Sequence, residues 1–185
     1  MSAEPTPATI RPATQADLSA VVDLVNSAYR GDSSRTGWTT EADYIDGQRT
    51  SLADLSAELA GANQPFILVL SAEVGAPPMA CVLVEMMPRP HGGLSGYIGM
   101  LTVSPTLQDQ GVGRMMLAAA EAEASRRGAD RARMTVVSIR DSLIAWYERR
   151  GYVRTGETAP FPYEDARFGL PRIADLSFII LEKPL

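Results

Sequence analysis

The segment Gly96–Gly128, GYIGMLTVSPTLQDQGVGRMMLAAAEAEASRRG, restricts the choice of fold more than any other part of the chain. An apolar run passes through a proline and a Gly-Val-Gly, then becomes an alanine-rich helix. A second apolar run, ARMTVV, follows it. The span Tyr97–Val137 is therefore a strand–helix–strand unit, which calls for a mixed α/β architecture. Glycine costs about 1 kcal/mol relative to alanine inside a helix. Two glycines where a helix must begin mean that the backbone needs their freedom or that something comes close to it. Gly99, inside the first run, has the same two meanings in a strand, a bulge or a close backbone approach.

The rest of the chain extends this unit. Met1–Pro7 is expected to be a disordered tail, followed by one domain over residues 8–185. A short strand near Thr9–Arg11 precedes a helix that Thr14 can cap, with Leu18, Val21, Val22, Val25, Ala28 and Tyr29 on one face. Gly31–Gly37 is a loop. WTTEADYIDG and SLADLSAELAG are expected as two short helices, the second capped by Ser51 and stopped by Gly61. PFILVLSAE and PMACVLVEM form an antiparallel pair around a turn at Gly75–Pro78. The helix after the glycines is expected from about Gln110 to Arg127, and DSLIAWYERRG is a further helix. YVRTGET, a Pro-rich loop APFPYED and the strand DLSFIILEK close the chain.

Composition excludes several classes. A net charge of −5 over 185 residues argues against a general nucleic-acid binder. One cysteine, Cys81, cannot form an intramolecular disulfide, which suits a cytoplasmic location. One histidine and one cysteine leave no multi-ligand His/Cys metal site, so no metal is expected. MSAEPTPATI lacks the basic and apolar regions of a signal peptide, and no apolar run approaches the 18 residues of a membrane span.

The glycine turn has several readings. The first four N–H groups of a helix lack internal partners, and the helix dipole favours an anion there. Gly111 and Gly113 would remove the side chains that hold a ligand off those donors, and Arg114 adds a charge. The turn is not a Walker loop, because Arg114-Met115 replaces Lys-Ser/Thr. It is a poor dinucleotide fingerprint, because Met116 takes the third glycine position. On these residues alone, glycines that serve only helix packing remain an equal alternative.

VSPTLQDQGVGRMML resembles the acetyl-CoA-binding motif of the Gcn5-related N-acetyltransferase (GNAT) family, a strand followed by Gln/Arg-x-x-Gly-x-Gly/Ala at a helix start. LIAWYERRGY, at the expected distance downstream, resembles the family's tyrosine-bearing helix that ends in Gly-Phe or Gly-Tyr. The resemblance covers nearly the whole chain from Ile10 to Leu181. It implies a GNAT-like acyl-CoA N-acyltransferase fold, with a central, mostly antiparallel sheet of about seven strands flanked by helices. It also implies acetyl-CoA as cosubstrate and an amine of a small molecule or peptide as acceptor; charge and hydropathy, as above, give no expectation of a nucleic-acid or membrane partner. A homodimer is common in the family, and the sequence leaves the oligomeric state open.

By the same resemblance, the strand ending at Val103 would splay from Ala132–Val137 to admit the pantetheine arm. The cofactor set would be Leu101, Thr102 and Val103 on the strand, then Gln108, Asp109, Gln110, Gly111, Val112, Gly113 and Arg114 in the turn. An N–H near Leu101 would stabilise the oxyanion. Tyr147 matches the proton donor to the coenzyme A sulfur, although its i, i+3, i+4 spacing with Leu143 and Trp146 also suits plain packing. Where relatives carry an asparagine, Arg140 stands; it would meet a phosphate or an acidic acceptor, or simply decorate the surface. The strand carries no acid, so Glu85 is the first candidate base, Glu41 the second, His91 a weaker third, and a water chain the remaining option. Tyr29, Trp38, Glu41, Tyr97, Phe161 and Tyr163 would line the acceptor site, where aromatics and a carboxylate suit a cationic amine or an amino-acid-like acceptor; the same residues equally suit core aromatics beside helix caps at Thr39 and Thr40. The missing strand acid also keeps open a non-catalytic coenzyme A-binding sensor.

Overall fold

The computed structural model describes residues 8–73 and 75–185, so the expected tail Met1–Pro7 lies outside the described residues. Strand β1 (Thr9–Pro12) leads into α1 (Leu18–Tyr29) and a four-residue α2 (Gly31–Ser34). After β2 (Ile45–Asp46) come α3 (Leu52–Leu59), β3 (Phe66–Ser71), β4 (Ala80–Pro88) and β5 (Leu94–Val103). Then follow α4 (Val112–Arg126), β6 (Arg131–Val137), α5 (Asp141–Glu148), β7 (Val153–Pro160), β8 (Leu170–Pro171) and β9 (Ser177–Pro184). Seven strands form one sheet in the order β1-β3-β4-β5-β6-β9-β7, and β2 pairs separately with β8. Among the described pairs of the large sheet only β5–β6 is parallel.

The continuous apolar runs of β3 and β4 are explained by burial on both faces. Ile67, Val69, Cys81 and Leu83 pack under α1 and α3. Leu68, Leu70, Ala80, Val82 and Val84 alternate with them and meet α4 and α5. Helix α4 contributes Met116, Leu117, Ala120 and Ala124 to that second core. Small residues are needed there, because a Cβ on Gly96 of β5 would lie 2.5 Å from the Ala124 methyl. At the start of α1, the Asp17 carboxylate accepts from the Thr14 N–H at 2.7 Å and pairs with Arg11 of β1 at 2.7 Å.

The expected helix WTTEADYIDG does not form. The Glu41 N–H is taken by the Tyr29 carbonyl and the Ala42 N–H by the Thr40 hydroxyl, so a single turn precedes β2. Helix α4 begins at Val112, two residues later than expected.

Strands β5 and β6 pair only from Ser95↔Arg131 to Tyr97↔Arg133. Beyond Tyr97 they part, and β6 continues against β9 alone while β5 continues against β4. The fork coincides with a bulge: between the pairs Leu83↔Gly99 and Cys81↔Thr102, β5 holds one residue more than β4. The residue in the left-handed conformation is Met100 (φ 51°) rather than Gly99. Gly99 serves by its size, since a Cβ would approach the Tyr97 ring to 3.1 Å.

Candidate active site

The turn that ends β5 aims the backbone at the fork. Asp109 (φ 63°) and Gly111 (φ 82°) both lie in the left-handed region, where glycine is at no disadvantage. Gly111 is the N-cap of α4, and no side chain caps the amides behind it. They remain free donors at the positive end of a 15-residue helix. The Cβ that Gly113 lacks would lie 3.5 Å from the Trp146 ring and 3.7 Å from a Val103 methyl. Gln108 braces the turn: its side-chain carbonyl accepts from the Trp38 N–H, and its amide donates to Thr39 Oγ1 and to the Val103 carbonyl.

Beside this turn lies a cavity of about 460 Å³ between β5 and α5. Of the residues singled out in the sequence for the cofactor, Leu101, Val103, Gln108, Asp109, Gln110, Gly111, Gly113 and Arg114 line it. Thr102 and Val112 turn elsewhere: the Thr102 hydroxyl donates to the Met100 carbonyl at 3.0 Å, and Val112 packs on the core. Trp38, expected at the acceptor, lines this cavity instead, 6.4 Å from Trp146. Arg150 also lines it and was not singled out in the sequence. Its guanidinium stacks 3.5 Å from the Trp146 ring centroid and donates to the Trp146 carbonyl, while its Nε is buried without an acceptor. Burial and the neighbouring Arg149 and Arg114 depress its pKa. Among the described residues neither Arg114 nor Arg150 has a carboxylate at ion-pair distance. Two such cations beside bare amides suit an anion. The consecutive arginines of YERRGY were the available signal.

A second, smaller cavity of about 120 Å³ opens on the other side of Tyr147, and Tyr29, Leu101, Leu143 and Tyr147 line both. Tyr147 is buried, with edge-on rings of Trp146 and Tyr152 at 5.0 and 5.7 Å. Its hydroxyl has no hydrogen-bond partner among the described residues. Burial, reinforced by Tyr29, pushes its pKa above the ordinary phenol value, so it stays protonated through neutral pH. The Tyr29 hydroxyl donates to the Leu101 carbonyl at 2.5 Å. This bond ties α1 to the bulge.

The second cavity reverses two expectations. Glu41 lines it, but both carboxylate oxygens are taken, one by Arg30 and the other by Arg140 at 3.0 Å. Burial alone would raise its pKa; Arg140 and Arg30 outweigh burial and hold it below the ordinary value. It is therefore a poor base, and the two guanidiniums paired with it repel a cationic amine. Arg140 does not face the cofactor cavity: it is buried between Glu41 and the Thr39 carbonyl. Phe161 lines the second cavity. Tyr97 does not, its hydroxyl meeting Thr135 Oγ1 at 2.9 Å. Tyr163 points to the Ile173 carbonyl. Glu85 lies outside both cavities and accepts from Asn63 at 2.7 Å. His91 is exposed in the β4–β5 loop.

A sheet that forks between two parallel strands, with a bulge at the fork and uncapped helix amides beside it, defines the acyl-CoA N-acyltransferase fold. The chain belongs to the acetyltransferase (GNAT) family, whose sequence model matches residues 20–152, and it is an acetyl-CoA-dependent N-acetyltransferase. Among solved structures it resembles one of the NatC complex bound to Gag peptide and CoA, with TM-score 0.67, 18% identity and coverage of 97% of this chain and 99% of that one. It also resembles a ribosomal-protein-alanine N-acetyltransferase from Brucella melitensis, with TM-score 0.67, 22% identity and coverage of 96% and 99%. At these identities the likeness concerns the fold. No curated protein sequence matches significantly. Among the described residues no helix is long and apolar enough to cross a membrane.

Proposed function

We propose that the protein moves an acetyl group from acetyl-CoA to a primary amine of a small molecule or peptide by direct attack, with Tyr147 as general acid. The observation that carries this reading is the unpaired Tyr147 hydroxyl where the two cavities meet. The residues fit an anionic cosubstrate: Gly111, Val112 and Gly113 offer amides, and Arg114 and Arg150 offer unpaired charge. The carbonyls of Leu101 and Val103 each accept one internal bond and keep a second lone pair for an amide arm.

Acetyl-CoA supplies the acyl group as an activated thioester. An N–H near Leu101 stabilises negative charge on the carbonyl oxygen as the amine attacks. Tyr147 donates a hydrogen bond to the sulfur as charge develops there, and its proton follows the departing thiolate. Glu41 is neutralised by its arginines and Glu85 faces elsewhere, so the amine gives its proton to water in the acceptor cavity. The pair of cavities favours this enzymatic reading over a binding sensor, which has no need of the second.

Tyr147→Phe tests the assignment. General acid catalysis contributes about 10²–10⁴-fold. The variant should lose about 10²-fold in kcat while binding coenzyme A as the wild type does. Unchanged turnover would remove Tyr147 from the chemistry.

A further inference from the structure

The acceptor cavity is positively charged. Arg30, Arg49 and Arg140 line it with the single carboxylate of Glu41, so the lining itself has three cations to one anion; Asp46 near Arg30 and Glu58 near Arg49 lie outside it. Arg30, Glu41 and Arg140 form a closed ion cluster whose side chains are only 5–7% exposed. One carboxylate shared by two guanidiniums has net charge +1, and a buried net charge is costly unless a counter-ion meets it. The Arg30 Nε is buried with no acceptor.

Arg49 carries the second charge. It is half-buried, 6.0 Å from the Tyr29 ring centroid, and pairs with no carboxylate among the described residues. Its backbone is fixed by Asn26 of α1: Asn26 Oδ1 accepts from the N–H of Arg49 at 2.7 Å, and Nδ2 donates to the Thr50 carbonyl at 2.9 Å. A side chain presented on a braced backbone, without a partner, toward a cavity next to the reactive tyrosine is a recognition element.

From this charge balance we infer that the acceptor is an amino carboxylate, its anionic end held by Arg49 against the Arg30–Glu41–Arg140 wall and its amine turned toward Tyr147. A planar guanidinium matches a carboxylate with two parallel hydrogen bonds. A cavity of about 120 Å³ falls well below the 300–1,000 Å³ of pockets for drug-sized ligands, which selects a small acceptor. A cationic polyamine would meet like charge. This inference rests on the acetyltransferase reading above.

The test is a matched panel. Acetyl-CoA-dependent thiol release is measured with the free amino acids, their carboxamides, their decarboxylated amines and aminoalkylphosphonates, alongside calorimetry of coenzyme A on the same preparation. The expected result is a kcat/KM at least about 30-fold higher for one or more amino acids than for the matching carboxamide. In Arg49→Gln that ratio should fall toward one through KM, and Arg49→Lys should restore part of it. Carboxamides or decarboxylated amines used equally well, or phosphonates preferred, would overturn the inference and leave the acetyltransferase reading standing. Absence of coenzyme A binding would overturn both. Should no amine turn over, binding of N-acetyl amino acids to the coenzyme A-loaded protein decides: preference for the free carboxylate over its carboxamide supports the inference, and equal or no binding overturns it.

Discussion

Glu41 shows how a residue's role depends on partners far away in sequence. As an isolated carboxylate beside aromatics it suggests a base or a cation site. Arg30 and Arg140 disfavour both options: paired with its two oxygens, they hold it ionised and surround it with positive charge. Without a carboxylate base in the acceptor cavity, the reactive amine is the population already neutral in solution. The kcat/KM for the acceptor should therefore rise with pH about tenfold per unit until the amine's own pKa, near 10 for a lysine-type amine. Its apparent pKa should move when a less basic amine is substituted. A plateau near pH 6–7 that ignores the amine would reveal a protein base instead. Tyr147 stands out in the sequence because its motif is local, Tyr and Gly-Tyr on one helix, and its role remains a proposal. The arginine cluster does not: residues 30, 41, 49 and 140 come together only when α1, the following loop and α5 pack, and no spacing records that.

Elements were read well where both burial and pattern were local, and poorly where a side chain took over a backbone bond. The runs of β3 and β4 and the helices α1, α3, α4 and α5 follow from periodicity. The bulge did not, because the strained residue is Met100, and the glycine beside it only clears the Tyr97 ring. Gly96 is similar, and its substitution tests how closely α4 and β5 approach. An added methyl would lie 2.5 Å from that of Ala124, so Gly96→Ala should destabilise the fold by about 1–3 kcal/mol in urea melts. A neutral effect would mean that the helix can move away. The Arg11–Asp17 pair joining β1 to α1 gives a pH-dependent test. Hydrogen bonding to Arg11, opposed by burial and aided by Thr14, holds the Asp17 pKa well below its unfolded value near 3.9. The stabilisation is thus complete above about pH 4 and is lost as pH falls toward the folded-state pKa. Asp17→Asn should cost about 1–2 kcal/mol at pH 7, with the difference shrinking below pH 3. A difference independent of pH would point to packing rather than charge.

At the scale of the molecule, the functional feature is the point where the sheet stops being continuous. Three residue pairs join β5 to β6, and beyond them the strands part around a bulge that Tyr29 ties to α1. The fork separates an anion-seeking cavity at the start of α4 from an arginine-walled one, and Tyr147 stands where they meet. In the proposed mechanism the division of labour follows from that single irregularity: one side is to hold the acyl donor, the other the amine. The most direct measurement is a crystal structure with coenzyme A bound. The expected result is the diphosphate on the amides of residues 111–113, the pantetheine arm between β5 and α5, and the sulfur within hydrogen-bond reach of the Tyr147 hydroxyl. Coenzyme A lying elsewhere, or its thiol pointing away from Tyr147, would contradict it.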